Sequence, residues 1–289
     1  MLILGLNLFH ADSSAALIKD GKIIYSLEEE RFKRIKHYSS FPTESIEKIL
    51  LNSNVKIEDI DYVTTNKSSF YNLSEKIKFN LINFRFNSII KYLKDKKIRN
   101  TDISNELRKF GELKKLKKIV EIPHHLSHIS YSYFLSGFRD SIGLTIDGSG
   151  DFSTSESYKI NSGKIKLIDK IVFPNSLGIF YQAFTQFLGF RRYGDEYKVM
   201  SLASYGKPKY EKKIQEMLIT DEKFNFKLKL KYFKHHKIGF NLFNETGYPI
   251  FNDLFTKEIE KKLNLQTRHK NEDLKDEHAD IAASVQSIF

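Results

Sequence analysis

The sequence predicts an α/β fold in which a mixed sheet is flanked by helices. Three short apolar runs open the chain as a meander, and strand-like runs then alternate with amphipathic helical ones. At 289 residues, with 40% hydrophobic residues, 24 Phe and 15 Tyr, the chain has apolar mass for a large core.

The elements follow in order. Residues 1–8, 14–19 and 22–29 read as strands, and Lys19-Asp20-Gly21-Lys22 is an Asp-Gly hairpin signal between the last two. Phe41-Pro42-Thr43-Glu44 opens a helix with Ile46, Ile49 and Leu50 on one face. Residues 60–65 predict a fourth strand. Residues 118–122 predict a fifth, which delivers a histidine cluster to a helix over about 125–136, and a strand over 141–147 comes next. Residues 155–160 and 164–173 alternate like a hairpin, 176–188 and 196–205 read as helices, and the Lys/Phe alternation of 223–240 predicts another hairpin. The second of those helices is rich in small residues suited to close packing. Residues 278–289 form an amphipathic helix without C-cap glycine or polar tail, which suggests a chain cut in mid-element and an exposed face inviting self-association. No internal repeat is visible.

Composition excludes several classes. No run of about eighteen apolar residues exists, so no membrane span is expected. The N-terminus lacks the basic region and cleavage site of a signal peptide, and a cytoplasmic location is expected. Zero cysteines leaves His, Asp and Glu as metal ligands. The net charge of +11 is concentrated: residues 67–120 hold 15 Lys+Arg against 5 Asp+Glu. That segment reads as an exposed helical insertion with solvated lysines, with an anionic acceptor as a second reading. No aromatic RNA-binding motif accompanies it, so neither nucleic acid nor membrane is expected as a partner.

Four patches carry chemistry. In His124-His125-Leu126-Ser127-His128, helical spacing puts His124 and His128 on one face and turns His125 elsewhere. They are either ligands for Fe(II), Zn or Mn or a satisfied structural pair. Asp147, at the end of an apolar strand before Gly148 and Gly150, adds a carboxylate where α/β folds place ligands, and the glycines allow positive φ and close approach of an anion. His10, in His10-Ala11-Asp12-Ser13-Ser14, is a possible general base on a loop. Glu28-Glu29-Glu30-Arg31-Phe32-Lys33-Arg34-Ile35-Lys36-His37 reads as a charged exposed helix start or as a set of phosphate donors. In Asp195–Gly206 the acids complement a helix dipole.

Taken jointly, these strings, with Phe41-Pro42 and Ser176-Leu177-Gly178-Ile179-Phe180-Tyr181, resemble the NodU-type O-carbamoyltransferases from the first residue to the last. The resemblance implies an actin/hexokinase-like (ribonuclease H-like) N-terminal lobe, related to the tRNA threonylcarbamoyl transferases. It implies a metal, Fe(II) or another divalent ion, on His124, His128 and Asp147. His10 would be the catalytic base, Lys36 and Asp12 would bind substrate, and Gly148 and Gly150 would face the nucleotide cofactor. Carbamoyl phosphate and ATP with Mg would be converted to carbamoyl-adenylate by a YrdC-like domain. The carbamoyl group would then pass to a hydroxyl of a sugar, nodulation-factor-like or secondary-metabolite acceptor.

The resemblance implies a second lobe and that adenylating domain in full-length members, and this chain is expected to be an incomplete N-terminal part without them. A separately encoded C-terminal half is therefore an expected partner. Ser201 and Ser204 also stand where small residues or proline are usual. Two other readings remain: a sugar-kinase-like or tRNA-modifying ATPase of the same fold, and a non-catalytic binding fragment.

Overall fold

The computed structural model describes residues 1–83, 102–221, 225–238, 241–243 and 248–289. The chain divides into two compact units. The first holds Met1–Ser136, Gly150–Phe152 and Phe243–Pro249, and the second holds Gly137–Ser149, Ser153–Leu242 and Ile250–Phe289.

The first unit is built on a five-stranded mixed sheet of β1 (Leu2–Asn7), β2 (Ser14–Lys19), β3 (Lys22–Glu28), β4 (Tyr62–Thr65) and β5 (Lys118–Glu121), in the order β3-β2-β1-β4-β5. The meander makes the β1–β2 and β2–β3 pairs antiparallel, while β4 and β5 join in parallel through longer crossovers. Leu4 and Leu6 of β1, Ala15 and Leu17 of β2 and Val63 of β4 are buried, the period-2 pattern of a strand with one face inward. Two short helices follow the meander, α1 (Glu30–Lys33) and α2 (Thr43–Ser53), and Ile46 and Ile49 of α2 are fully buried in the same core. Helix α2 ends at Asn54, whose positive φ lets its N–H reach Leu50 O and Leu51 O.

Helix α3 (Leu73–Ile82) and a helix over 102–108, α4, occupy the basic segment, of which 84–101 lie outside the described residues. The expectation of an exposed insertion with solvated lysines is corrected at several points. Ile103 and Leu107 are buried in the core of the first unit, with Leu113 and Leu116 packed against it. Lys76 is 6% exposed, and burial lowers its pKa. Lys114, Lys115 and Lys117 are exposed, as expected, and pair with Glu58, Asp59 and Asp61 at 2.7, 2.8 and 3.7 Å. Helix α5 (His124–Ser136) follows β5.

The second unit has a three-stranded sheet of β6 (Asp140–Gly150), β7 (Ser153–Asn161) and β8 (Lys164–Val172) in that order, as the predicted hairpin requires; the last residue of β6 belongs to the first unit. Helix α6 (Leu177–Phe187) supplies Phe180, Phe184 and Phe187, all fully buried. Each such ring contributes about 1.5–3 kcal/mol by leaving water. Helix α7 (Glu196–Ala203) and the C-terminal helix (Asp276–Gln286) approach closely at Gly206, where an added Cβ would lie 2.0 Å from Ala279 O. Ala279, Ile281, Ala282 and Val285 are buried there, so the exposed C-terminal face expected from sequence is not present: the helix packs into its own unit.

The predicted hairpin over 223–240 is also corrected. Phe226–Leu228 does form a strand, but it pairs back with Leu218–Thr220, and a 3-10 turn and a helix over His235–Ile238 follow. Residues 222–224 and 239–240 lie outside the described residues.

Candidate metal and acceptor site

Helix α5 presents its first and fifth residues on one face. The Nε2 atoms of His124 and His128 stand 3.0 Å apart, with ring centroids at 4.7 Å. Two imidazole nitrogens each about 2.0–2.1 Å from one ion, at angles of about 90–110°, would be about 3–3.4 Å apart. The pair therefore fits two adjacent positions on a divalent metal. His128 is exposed and His124 half-buried, whereas His125 is buried and turned into the protein. The histidine spacing read from the sequence thus gives the arrangement expected.

Gly150, the last residue of β6, and Asp151, the next in sequence, fix His124. The ring rests on Gly150, where an added Cβ would lie 2.1 Å from His124 Cδ2, so only glycine leaves room for it. The next residue, Asp151, accepts the His124 backbone N–H on Oδ2 at 2.9 Å and the Ser68 N–H on the same oxygen at 2.8 Å. Asn72 Nδ2 donates to the Asp151 carbonyl at 3.1 Å. Burial raises the pKa of this carboxyl, and the two backbone hydrogen bonds oppose that rise.

The glycine-turn expectation is corrected here. Strand β6 runs through Gly148 to Gly150, neither of which has positive φ. The left-handed residues are Asp151 and Phe152, at φ 50° and 74°. Successive non-glycine residues in that region are costly, and the hydrogen bonds on Asp151 hold the first of them in place.

His10 lies on the β1–β2 loop, its ring centroid 6.0 Å from that of His124. The loop is tied down on both sides. Asn7 Nδ2 donates to Ala11 O and Asp12 O, Ser13 N donates to Tyr38 O at 2.8 Å, and Ser13 Oγ donates to Ser40 O at 2.6 Å and His10 O at 3.2 Å. Asp12 Oδ1 meets His37 Nδ1 at 2.7 Å, and Glu30 Oε2 accepts the His37 backbone N–H at 2.8 Å. Donor atoms of Asp12, Glu30 and His37 all lie within 4.8 Å of one another. Lys36 is exposed and precedes His37.

The charged patch does start a short helix, α1, with Glu28, Arg31, Arg34 and Lys36 exposed as expected, but one of its acids departs from that reading. Glu29 is fully buried and accepts the Glu44 N–H, the Ser45 N–H and the Ser45 hydroxyl at 2.8–3.0 Å, capping α2. Burial of a carboxylate is tolerated because these donors replace water. Glu29 and Asp151 were not legible as site supports, since each acts on amides distant in sequence. His37 stands at the end of a motif that the sequence does single out.

Asp147, Gly148 and the start of α6 belong to the second unit. Asp147 Oδ1 accepts the Gly148 N–H at 2.5 Å, and Ser176 Oγ donates to Asp147 O and Gly148 O while accepting the Ile179 N–H as the helix cap. Gly178 lets the first turn of α6 lie on that strand end: its Cβ would fall 2.6 Å from Gly148 N. Asp195 complements α7 as expected, accepting from Lys198 Nζ at 2.6 Å and Arg192 N at 3.0 Å.

The first unit thus holds a loop histidine beside a paired imidazole site on a helix start, on a mixed α/β scaffold. The family model described as carbamoyltransferase N-terminus matches residues 2–289, and the chain belongs to that family. Uncharacterized protein sll1178 of Synechocystis is 31% identical over 99% of this chain and 46% of its own length. Nodulation protein NolNO of Sinorhizobium fredii is 30% identical over 98% of this chain and 37% of its own. The chain therefore spans less than half the length of these curated relatives. Among solved structures, YeaZ from Pseudomonas aeruginosa aligns at 13% identity with a TM-score of 0.33, over 61% of this chain and 70% of that one.

Proposed function

We propose that this chain supplies the acceptor and metal site of an O-carbamoyltransferase. The observation that carries the reading is the placement of His10 beside His124, which itself faces His128. In this reading His124, His128 and Asp147 hold a divalent metal, Fe(II) by family resemblance. When bound, the metal supplies a Lewis acid that offsets negative charge on the carbamoyl oxygen.

His10 takes the proton of the acceptor hydroxyl. The acceptor oxygen forms a bond to the carbamoyl carbon, and the bond from that carbon to the adenylate phosphate oxygen breaks, releasing AMP. Lys36 is the donor for phosphate, and Asp12, held by His37, accepts from an acceptor hydroxyl or amine. Gly150 makes room for the His124 ring, and neither Gly148 nor Gly150 has the positive φ of a phosphate-binding turn. Conversion of carbamoyl phosphate, water and ATP with Mg to carbamoyl-adenylate, phosphate and pyrophosphate belongs to a YrdC-like domain by the same resemblance. The acceptor class, a sugar or a nodulation-factor-like or secondary metabolite, follows from the resemblance.

The test is transfer of label from radioactive carbamoyl phosphate, with ATP and an added adenylating domain, to a panel of amino sugars and chitooligosaccharides. Label should enter a hydroxylated acceptor, and His10→Ala should lower the rate by about 10²–10⁴-fold. Transfer that is unchanged by His10→Ala would overturn the assignment of the base.

A further inference from the structure

Asp151 touches the proposed metal site only through backbone. Its Oδ2 joins the first amide of α5, at His124, to the Ser68 amide, and its carbonyl takes Asn72 Nδ2. The neighbouring Glu121 fastens the same loop independently, accepting from Ser69 N at 3.0 Å and Ser69 Oγ at 3.3 Å. Oδ1 of Asp151 is buried with no hydrogen-bond partner among the described residues, so the carboxylate's bonding is concentrated on one oxygen. The preceding residue, Gly150, is the seat of the His124 ring. One dipeptide thus sets both the backbone and the ring of His124, and an anionic oxygen lies at the positive end of α5.

We propose that Asp151 is a positioning residue for the His124–His128 pair. It holds the first turn of α5 so that the two Nε2 atoms converge before any metal arrives. The consequence for metal affinity rests on the metal-binding reading above; the hold on the helix start does not. A preset pair loses less conformational freedom on binding, and supports of this kind change metal affinity by about 10–100-fold.

The experiment titrates Co(II) into the protein by absorbance and follows imidazole and amide nitrogens by NMR. Asp151→Ala is expected to weaken Co(II) binding by about tenfold or more, shift the ligand-field band, and move the His124 and His128 imidazole resonances. Asp151→Asn keeps an acceptor oxygen of the same reach and should restore binding to within a few-fold of the parent. Glu121→Ala loosens the loop at Ser69 without touching α5, and it should bind Co(II) as the parent does.

If Asp151→Ala does not fold, Asp151→Ser, whose hydroxyl cannot span both amides, takes its place. A folded Asp151→Ala or Asp151→Ser with parental affinity and unmoved imidazole resonances would overturn the proposal. If the parent and His124→Ala bind Co(II) alike, the metal reading fails instead. The positioning role is then judged by amide exchange and imidazole resonances alone: His124 and Ser68 must stay protected in Asp151→Asn and lose protection in Asp151→Ala, with displaced imidazoles.

Discussion

Gly150 and His124 are packed so closely that the imidazole occupies the space a Cβ would need: the two would be 2.1 Å apart. The glycine is there for the histidine, not for a turn, since its φ is not positive. Gly150→Ala should therefore push His124 off His128. The expected cost is about 1–3 kcal/mol of stability, the range for overpacking a buried site, together with weakened divalent-metal binding. Thermal unfolding and metal titration on the same variant check both; a fully stable variant with parental binding would contradict the packing argument.

The two imidazoles should act as a unit. His124→Ala and His128→Ala are each expected to lose the bound divalent ion, because one remaining imidazole and a carboxylate make a poor site. Elemental analysis after purification in the presence of Fe(II) or Zn(II) reads this directly. Unchanged stoichiometry in both variants would remove the ligand assignment.

Glu29 is the internal cap of α2 and lies beside the strap that holds the His10 loop, since its own N–H donates to Ser13 O at 2.9 Å. Glu29→Ala leaves the Glu44 and Ser45 amides without acceptor in a buried place. A loss of about 2–3 kcal/mol is expected, from a helix cap and charge-assisted hydrogen bonds together. Denaturant unfolding measures it, and a change below about 0.5 kcal/mol would show that the cap is replaced by water.

His235 in the second unit gives a pH signature. It is fully buried, its Nε2 meets Pro174 O at 2.8 Å, its Nδ1 has no hydrogen-bond partner among the described residues, and burial pushes its pKa down to about 4. The unfolded chain takes up this proton near the ordinary value of about 6.5, the folded chain only near 4. Stability should thus be intact above pH 6.5 and fall as the pH drops through that window, by about 3 kcal/mol at most. Unfolding midpoints from pH 7 to pH 4, compared with His235→Gln, test it; parallel pH dependence in the two proteins would exclude His235 as the source.

Much of this protein is determined by its sequence alone. The meander, the Asp-Gly hairpin, the opening of α2 at Thr43 and the pairing of His124 with His128 follow from local periodicity and turn chemistry. Such patterns act over a few residues and need no distant partner. Tertiary structure decided the rest. Glu29 looked solvated because its neighbours are charged, yet amides of residues 44 and 45 draw it inside. Ile142, Leu144 and Ile146 make the predicted strand over 141–147 apolar, yet they stand 52–68% exposed. Gly148 and Gly150 looked like a turn, yet both are strand residues, and the missing Cβ of Gly150 makes room for His124. For Glu29 and Gly150 the deciding term is desolvation or close contact with groups far away in sequence, and no local pattern records it.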